Sequence, residues 1–192
     1  MEKEDFHREI LQTSRFDELS DLRAIIDAIL LEKQVEEGGE NSSSSSVKNI
    51  LYETLVKHAL DPYSGNNALH MASANGHEEI VEYLTSLLPN PDFINACNKA
   101  GNTALHYASL NGHDRIVGLL LDARADPLIS NEAGRIPFEE AILNAHEAVK
   151  AILIKKMEEI EKRNSTKGND SVDNDADNEK LQGDLANLTV DQ

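Results

Sequence analysis

Ten consecutive residues of this chain recur almost unchanged. Ala68-Leu69-His70-Met71-Ala72-Ser73-Ala74-Asn75-Gly76-His77 returns 36 positions later as Ala104-Leu105-His106-Tyr107-Ala108-Ser109-Leu110-Asn111-Gly112-His113. A further shift of 33 falls on Pro137-Phe138-Glu139-Glu140-Ala141 and on Ala145-His146, and Gly65, Gly101 and Gly134 keep the same ruler. The three extra residues of the first interval fit the loop Leu88-Pro89-Asn90-Pro91-Asp92. A period of this length means a stacked array, in which a unit buries its apolar face only against its neighbours.

Each recurring position has a local reason. Gly101 and Gly134 allow the positive backbone dihedrals of a tight turn. Thr103 is placed to cap the helix that follows. Ala72, Ala108 and Ala141 let that inner helix approach its neighbours closely, and Gly76 and Gly112 end it. Ile80, Val81 and Leu84 return as Ile116, Val117 and Leu120 at helical spacing, the buried stripe of an outer helix. Pro127 stops helical continuation in the loop.

A turn, two antiparallel helices and a loop, carrying Gly101-Asn102-Thr103-Ala104-Leu105-His106 and Ala125-Asp126-Pro127, resembles the ankyrin repeat. The expected fold is all-α, an ankyrin-repeat solenoid of about four helix pairs with short turns. Its repeat domain is expected over residues 1–162. A degenerate first unit covers 5–60, with helices over 6–14 and 19–31, a flexible Gly/Ser-rich insertion at 36–46, and a further helix over 47–60. Two clear repeats follow, about 65–97 and 98–130, and a degenerate last unit covers 131–162, its helices over 137–144 and 147–162. Degenerate ends suit units with only one neighbour. Residues 163–192 are expected to be an acidic disordered tail. Leu181, Leu185, Leu188 and Val190 have the spacing of a short amphipathic helix within it.

The formal charge is -17, distributed as -7 over residues 1–46, -4 over 47–156 and -6 over 157–192. Such a balance repels phosphates, which argues against nucleic acid or an anionic membrane and for a basic partner. The lone Cys97 makes no intramolecular disulfide and fits a reducing compartment. Residues 1–8 are charged rather than apolar, so no secretory signal is expected. No window is long and apolar enough to span a bilayer.

Catalytic constellations are missing from the pattern. His70 and His106 hold the recurrent Leu-His position, which in the ankyrin fold typically hydrogen-bonds adjacent turns. His77, His113 and His146 follow the inner helix and read as architectural too. His77-Glu78-Glu79-Ile80-Val81 lacks the second histidine of a helical zinc site. No Gly-Lys pair suggests a phosphate loop, and Glu78-Glu79 and Glu139-Glu140 read as solvated helix surface. The expectation is therefore no enzyme, no metal and no cofactor.

The ankyrin resemblance implies binding through the turn tips and the exposed face of the inner helices. On that pattern the contact residues are Asp61, Tyr63, Asn66 and Asn75 in the first clear repeat, with Ala74 beside them. Lys99, Asn102, Leu110 and Asn111 follow in the second, and Glu132, Arg135, Leu143 and Asn144 in the last. Tyr63 and Leu110 are the best anchors. Asn75 and Asn111 serve either a docked backbone or the end of their own helix, and Tyr107 faces either the groove or the interior.

Beyond the repeat, the degenerate first pair, the two ten-residue copies, Ala125-Asp126-Pro127 and the acidic end with its leucines resemble a family of small fungal ankyrin proteins. These are chaperones dedicated to the KH-domain ribosomal protein of the small-subunit head. The serine-rich stretch at 42–46 departs from that family. The resemblance implies a monomer that binds the free basic protein one-to-one. It would shield the client from aggregation and stray RNA, with no direct nucleic-acid or membrane contact, in cytoplasm and nucleus. The alternative is a generic ankyrin adaptor in signalling or transcription.

Overall fold

Four amides set the register of the array. Those of Glu18, His77, His113 and His146 donate to carbonyls five residues back, on Thr13, Ala72, Ala108 and Ala141, at 2.9–3.1 Å. This six-to-one bond closes a helix end whose next-to-last residue is left-handed. That residue is Gly76 or Gly112 in the clear repeats, and Asp17 (φ 63°) or Ala145 (φ 56°) in the first and last units. The periodicity therefore extends beyond the glycines that advertise it.

In the computed structural model, residues 3–36 and 44–167 are described, and among them there is no strand. The inner helices are α1 (Lys3–Phe16), α4 (Ala68–Asn75), α7 (Ala104–Leu110) and α9 (Pro137–Leu143). Each packs on the next, α1 on α4, α4 on α7 and α7 on α9. Each leads into an outer helix: α2 (Leu19–Glu36), α5 (Glu78–Leu87), α8 (Asp114–Asp122) and α10 (Glu147–Lys167). Ile10, Leu22, Leu69, Ile80, Leu84, Leu105, Ile116 and Leu120 are sealed between the layers. Ala72, Ala108 and Ala141 are fully buried, as close helix approach requires.

Two further helices lie between the pairs. α3 (Ser44–Tyr52) runs into a π-helical stretch, Glu53–His58, and so begins three residues before the expected start at 47. Leu51, Leu55 and Ala59 bury its apolar face. α6 (Pro91–Ile94) occupies part of what reads in sequence as a loop. The Asn90 side chain accepts from the Asp92 amide at 2.9 Å, and Pro91 sits where a helix has no use for its amide hydrogen. Phe93 and Ile94 are thereby driven into the core. A proline pair that looks like a helix breaker is here a helix start.

The chain divides into two units, residues 1–156 and Met157–Gln192. The described part of the second, 157–167, is helical, so helix persists five residues past the expected end at 162. The rest of the expected tail, with Leu181, Leu185, Leu188 and Val190, lies outside the described residues, as does 37–43 of the insertion.

The stacking of turns is tested by two glycines of identical conformation. Gly101 and Gly134 both have φ +74°. A Cβ on Gly101 would lie 2.8 Å from the Glu132 amide nitrogen, whereas one on Gly134 meets nothing described within 4 Å. Gly134→Ala is therefore expected to cost only the left-handed strain, about 1–2 kcal/mol. Gly101→Ala should cost about 1–3 kcal/mol more for the backbone clash. Equal losses in denaturant melts of the two variants would count against this account.

Candidate protein-binding face

Each turn tip is tied by one side-chain oxygen. Asp61 Oδ1 accepts from the amides of Tyr63 (3.1 Å) and Ser64 (2.7 Å) and from the Ser64 hydroxyl (2.7 Å). Asn98 Oδ1 accepts from the amides of Ala100 and Asn102, both at 2.9 Å. Asn131 Oδ1 does the same for Ala133 and Arg135 at 3.0 Å. Bonds to its ionised form, those of Ser64 foremost, hold the Asp61 carboxyl below its ordinary range. Successive tips are joined through the backbone, the Lys99 amide donating to Ser64 O at 2.9 Å and the Glu132 amide to Ala100 O at 3.0 Å.

The histidines bind the units together in two directions. The Leu-His pair reaches forward: His70 Nε2 lies 2.9 Å from Asn102 O and His106 Nε2 3.0 Å from Arg135 O. Both Nε2 atoms face carbonyl oxygens, which can only accept, so each carries a proton, and the Nδ1 atoms lie within reach of the Asn67 and Thr103 amides. The Gly-His set reaches back, His77 to Arg15 O (2.7 Å), His113 to Ala74 O (3.2 Å) and His146 to Leu110 O (3.0 Å). The ends follow suit. In the last described unit Glu139 takes the forward position, its carboxylate accepting from the Ile136 amide at 2.8 Å. In the first described unit Glu18 takes the backward position. Burial pushes the His70 pKa down to about 4 and lowers that of His106.

On this scaffold the expected contact residues fall into three groups. Tyr63 (90% exposed), Leu143 (65%) and Glu132 stand out from the surface. Lys99 is exposed but donates to Pro62 O at 2.8 Å, fastening two tips, and Leu110 is half-buried. The asparagines are largely engaged. Asn75 donates to Met71 O and Asn144 to Glu140 O, each at the end of its own helix, while Asn111 donates to Ala74 O of the preceding unit, all at 2.7–2.8 Å. Asn102 Oδ1 accepts from Asn131 Nδ2 at 2.8 Å.

One expectation is corrected outright. Asn66 is only 9% exposed and its Oδ1 accepts from Asn98 Nδ2 at 2.7 Å, so it joins two turns and offers no surface. Asp61 likewise serves its own turn. Tyr107 points toward the turns: its hydroxyl receives Asn98 Nδ2 at 3.0 Å, and its ring meets His70 edge-on at 6.0 Å.

Glu140 is the residue that sequence reasoning missed. It holds the position of Met71 and Tyr107, is 5% exposed, and takes both Asn131 Nδ2 (3.1 Å) and Arg135 Nε (2.8 Å) on Oε1. Only Glu139 of that pair is a solvated residue. The signal was present: Glu140 aligns with Tyr107, whose hydroxyl serves the equivalent asparagine.

The turn-side groove is not uniformly acidic. Arg15 lies at its α1 end, and Met71, Ala74, Tyr107 and Leu110 make a neutral middle. Glu132, Glu139 and Glu140 gather at the α9 end, where Arg135 pairs with Glu140 at 2.8 Å. Much of the remaining described acid sits on outer helices, in Asp21, Asp27, Glu78, Glu79, Glu82 and Asp114. A cavity of about 350 Å³ lies away from this groove, between Lys48, Asn49 and Tyr52 of α3 and the 88–92 loop. Among the described residues no three His, Cys, Asp or Glu side chains are grouped to hold a metal, and no helix is long and apolar enough to cross a membrane.

Comparison with known proteins agrees with this geometry. The family described as ankyrin repeats (3 copies) matches residues 85–164, and that described as ankyrin repeats (many copies) matches 50–85. Ankyrin repeat-containing protein YAR1 of Saccharomyces cerevisiae is 37% identical over 158 residues, 76% of this chain and 78% of that protein. This chain belongs to the ankyrin-repeat family. A second relative of the family, ankyrin repeat-containing protein P16F5.05c of Schizosaccharomyces pombe, is 50% identical over 86 residues, 45% of this chain and 58% of that protein. Among solved structures, the yeast ribosomal protein Rps3 in complex with its chaperone Yar1 matches with a TM-score of 0.63 and 34% identity, covering 81% of this chain and 95% of the matched one.

Proposed function

We propose that this ankyrin-repeat protein is a dedicated chaperone and escort of a basic small-subunit ribosomal protein, the counterpart of Rps3. The observation that carries this reading is the similarity to yeast Yar1, at 37% identity over more than three-quarters of both chains, joined to the structural match with Yar1 in its Rps3 complex. The charge of -17 supports it, since an acidic partner lowers the tendency of a cationic client to seize RNA or aggregate. The protein acts by binding. It catalyses nothing and needs no cofactor or nucleotide, because mass action stabilises the client and ribosomal RNA later competes for it. It works as a monomer in a one-to-one complex and accompanies the client between cytoplasm and nucleus.

The test is direct. Purified chain mixed with Rps3 at low and moderate salt should form a salt-sensitive complex and keep Rps3 in solution. Rps3 that precipitates unchanged, or a kinase or transcription factor as the main co-purifying protein, overturns the reading.

A charge change on the face has an expected sign. Glu132→Lys alters an exposed side chain and should slow association with Rps3 severalfold while leaving the melting temperature unchanged. Asp61→Lys also removes the acceptor of three hydrogen bonds, so it should lower stability by about 1 kcal/mol or more as well. Stopped-flow association and thermal melts separate the two.

A further inference from the structure

The three turn tips are not held alike. In the second and third, the tip asparagine is tied to its own inner helix: Asn98 Nδ2 donates to the Tyr107 hydroxyl at 3.0 Å and Asn131 Nδ2 to Glu140 Oε1 at 3.1 Å. In the first, the equivalent helix position is Met71, and Asp61 spends its carboxylate on its own turn. Among the described residues, the hydrogen bonds that tie tip 61–66 to a neighbouring unit all involve Asn98, Lys99 or Tyr107. The Lys99 amide donates to Ser64 O (2.9 Å) and its Nζ to Pro62 O (2.8 Å). Asn98 Nδ2 donates to Asn66 Oδ1 at 2.7 Å, and Asn66 Nδ2 lies 3.4 Å from the Tyr107 hydroxyl.

Asn98 is the hub of this relay. Its Oδ1 faces the amides of Ala100 and Asn102, which can only donate, so Nδ2 is the end turned to Asn66 and Tyr107. Both Nδ2 hydrogens are thereby used, and at 9% exposure the residue has little water to replace either partner. At the far end of the relay stands Tyr63, 90% exposed, whose ring adds nothing to the core. Such a ring supplies binding area at low cost only where its loop is already held in place.

We propose that Tyr107 is a positioning residue for client binding: its hydroxyl fixes Asn98, and Asn98 and Lys99 fix the tip from which Tyr63 meets the ribosomal protein. The inference rests on the ribosomal-protein reading above and adds to it how one contact is prepared. Without the hydroxyl, one Asn98 hydrogen loses its acceptor, the side chain turns to find another, and the bond to Asn66 goes with it. The tip is then loose in the free protein and has to be ordered on binding, which costs affinity.

The experiment is a double-mutant cycle with two readouts. Affinity of the full chain for purified Rps3 and thermal melts are measured for wild type, Tyr63→Ala, Tyr107→Phe and the double variant. Tyr107→Phe removes one oxygen and keeps the ring that meets His70 edge-on. Tyr63→Ala should weaken binding about tenfold and Tyr107→Phe about fivefold. Because Tyr107 acts through Tyr63, the double variant should bind within about twofold of Tyr63→Ala. The melts should show no such coupling: Tyr107→Phe should lower the melting temperature by the same few degrees in either background. A hydroxyl that served stability alone would give affinity losses that multiply. Multiplying losses, or unchanged binding in Tyr63→Ala or in Tyr107→Phe, overturn the relay and leave the chaperone reading in place. Wild-type chain that does not bind Rps3 overturns that reading, and the relay with it.

Discussion

Leu105→Asp should leave this protein without a cooperative melting transition at neutral pH. Leu105 is 1% exposed and lies on α7, the inner helix that packs on α4, α8 and α9 at once. Losing the leucine alone costs about 2–5 kcal/mol, as core truncations do. Setting an unpaired carboxylate there adds several kcal/mol. Together these rival the whole stability of a domain this size, about 5–15 kcal/mol. Because neighbouring units hold each other through the His70 and His106 bonds, damage at α7 reaches both sides of the array. The same change at exposed Leu143 should leave the melt nearly as it was. A native-like helical signal and transition in Leu105→Asp would contradict the packing described above.

The second large effect is with pH. Burial pushes the His70 pKa down to about 4, from an ordinary value near 6.5, and lowers that of His106 as well. Both rings work in the neutral form. Below pH 6.5 the unfolded chain binds protons that the folded one refuses, so stability falls as pH drops and levels off near pH 4. For His70 the full loss is about 3 kcal/mol, and His106 adds to it with the same sign. Asp61 acts in a lower window. Its folded carboxyl is held ionised, so its share is present above pH ~4 and is lost below that. Denaturant melts between pH 7 and 4.5 should show the decline, and His70→Gln, which is less stable at pH 7, should show a shallower one. An equal slope in the two proteins would remove His70 as its source.

The repeat and its limits were legible in the sequence wherever an element declares itself locally. Gly76-His77 and Gly112-His113 announce the helix ends, whereas α3 begins at Ser44 and α10 runs on to Lys167, beyond the bounds that the sequence suggests. The short helix Pro91–Ile94 was not legible, since an asparagine cap and a proline at the first helical position look like a loop until Phe93 and Ile94 find a core to fill. Left-handed Asp17 and Ala145 were hidden for a related reason: stacking holds a conformation that their residue types do not advertise.

The contact face divides along the same line. Sequence alone determined the period, the two layers of helices, the acidic balance and the prominence of Tyr63, because each is a property of a unit or of composition. Only the tertiary structure decided that Asn66 is buried, that Tyr107 turns toward the tips and that Glu140 is buried against Asn131 and Arg135. For Asn66 the deciding partners are well removed along the chain, Tyr107 at 41 residues and Asn98 at 32, whereas Glu140 is set by Asn131 and Arg135, nine and five residues away within its own unit. A repeat pattern says that two positions are equivalent. Which hydrogen bonds each of them makes depends on the residues that the stack brings around it.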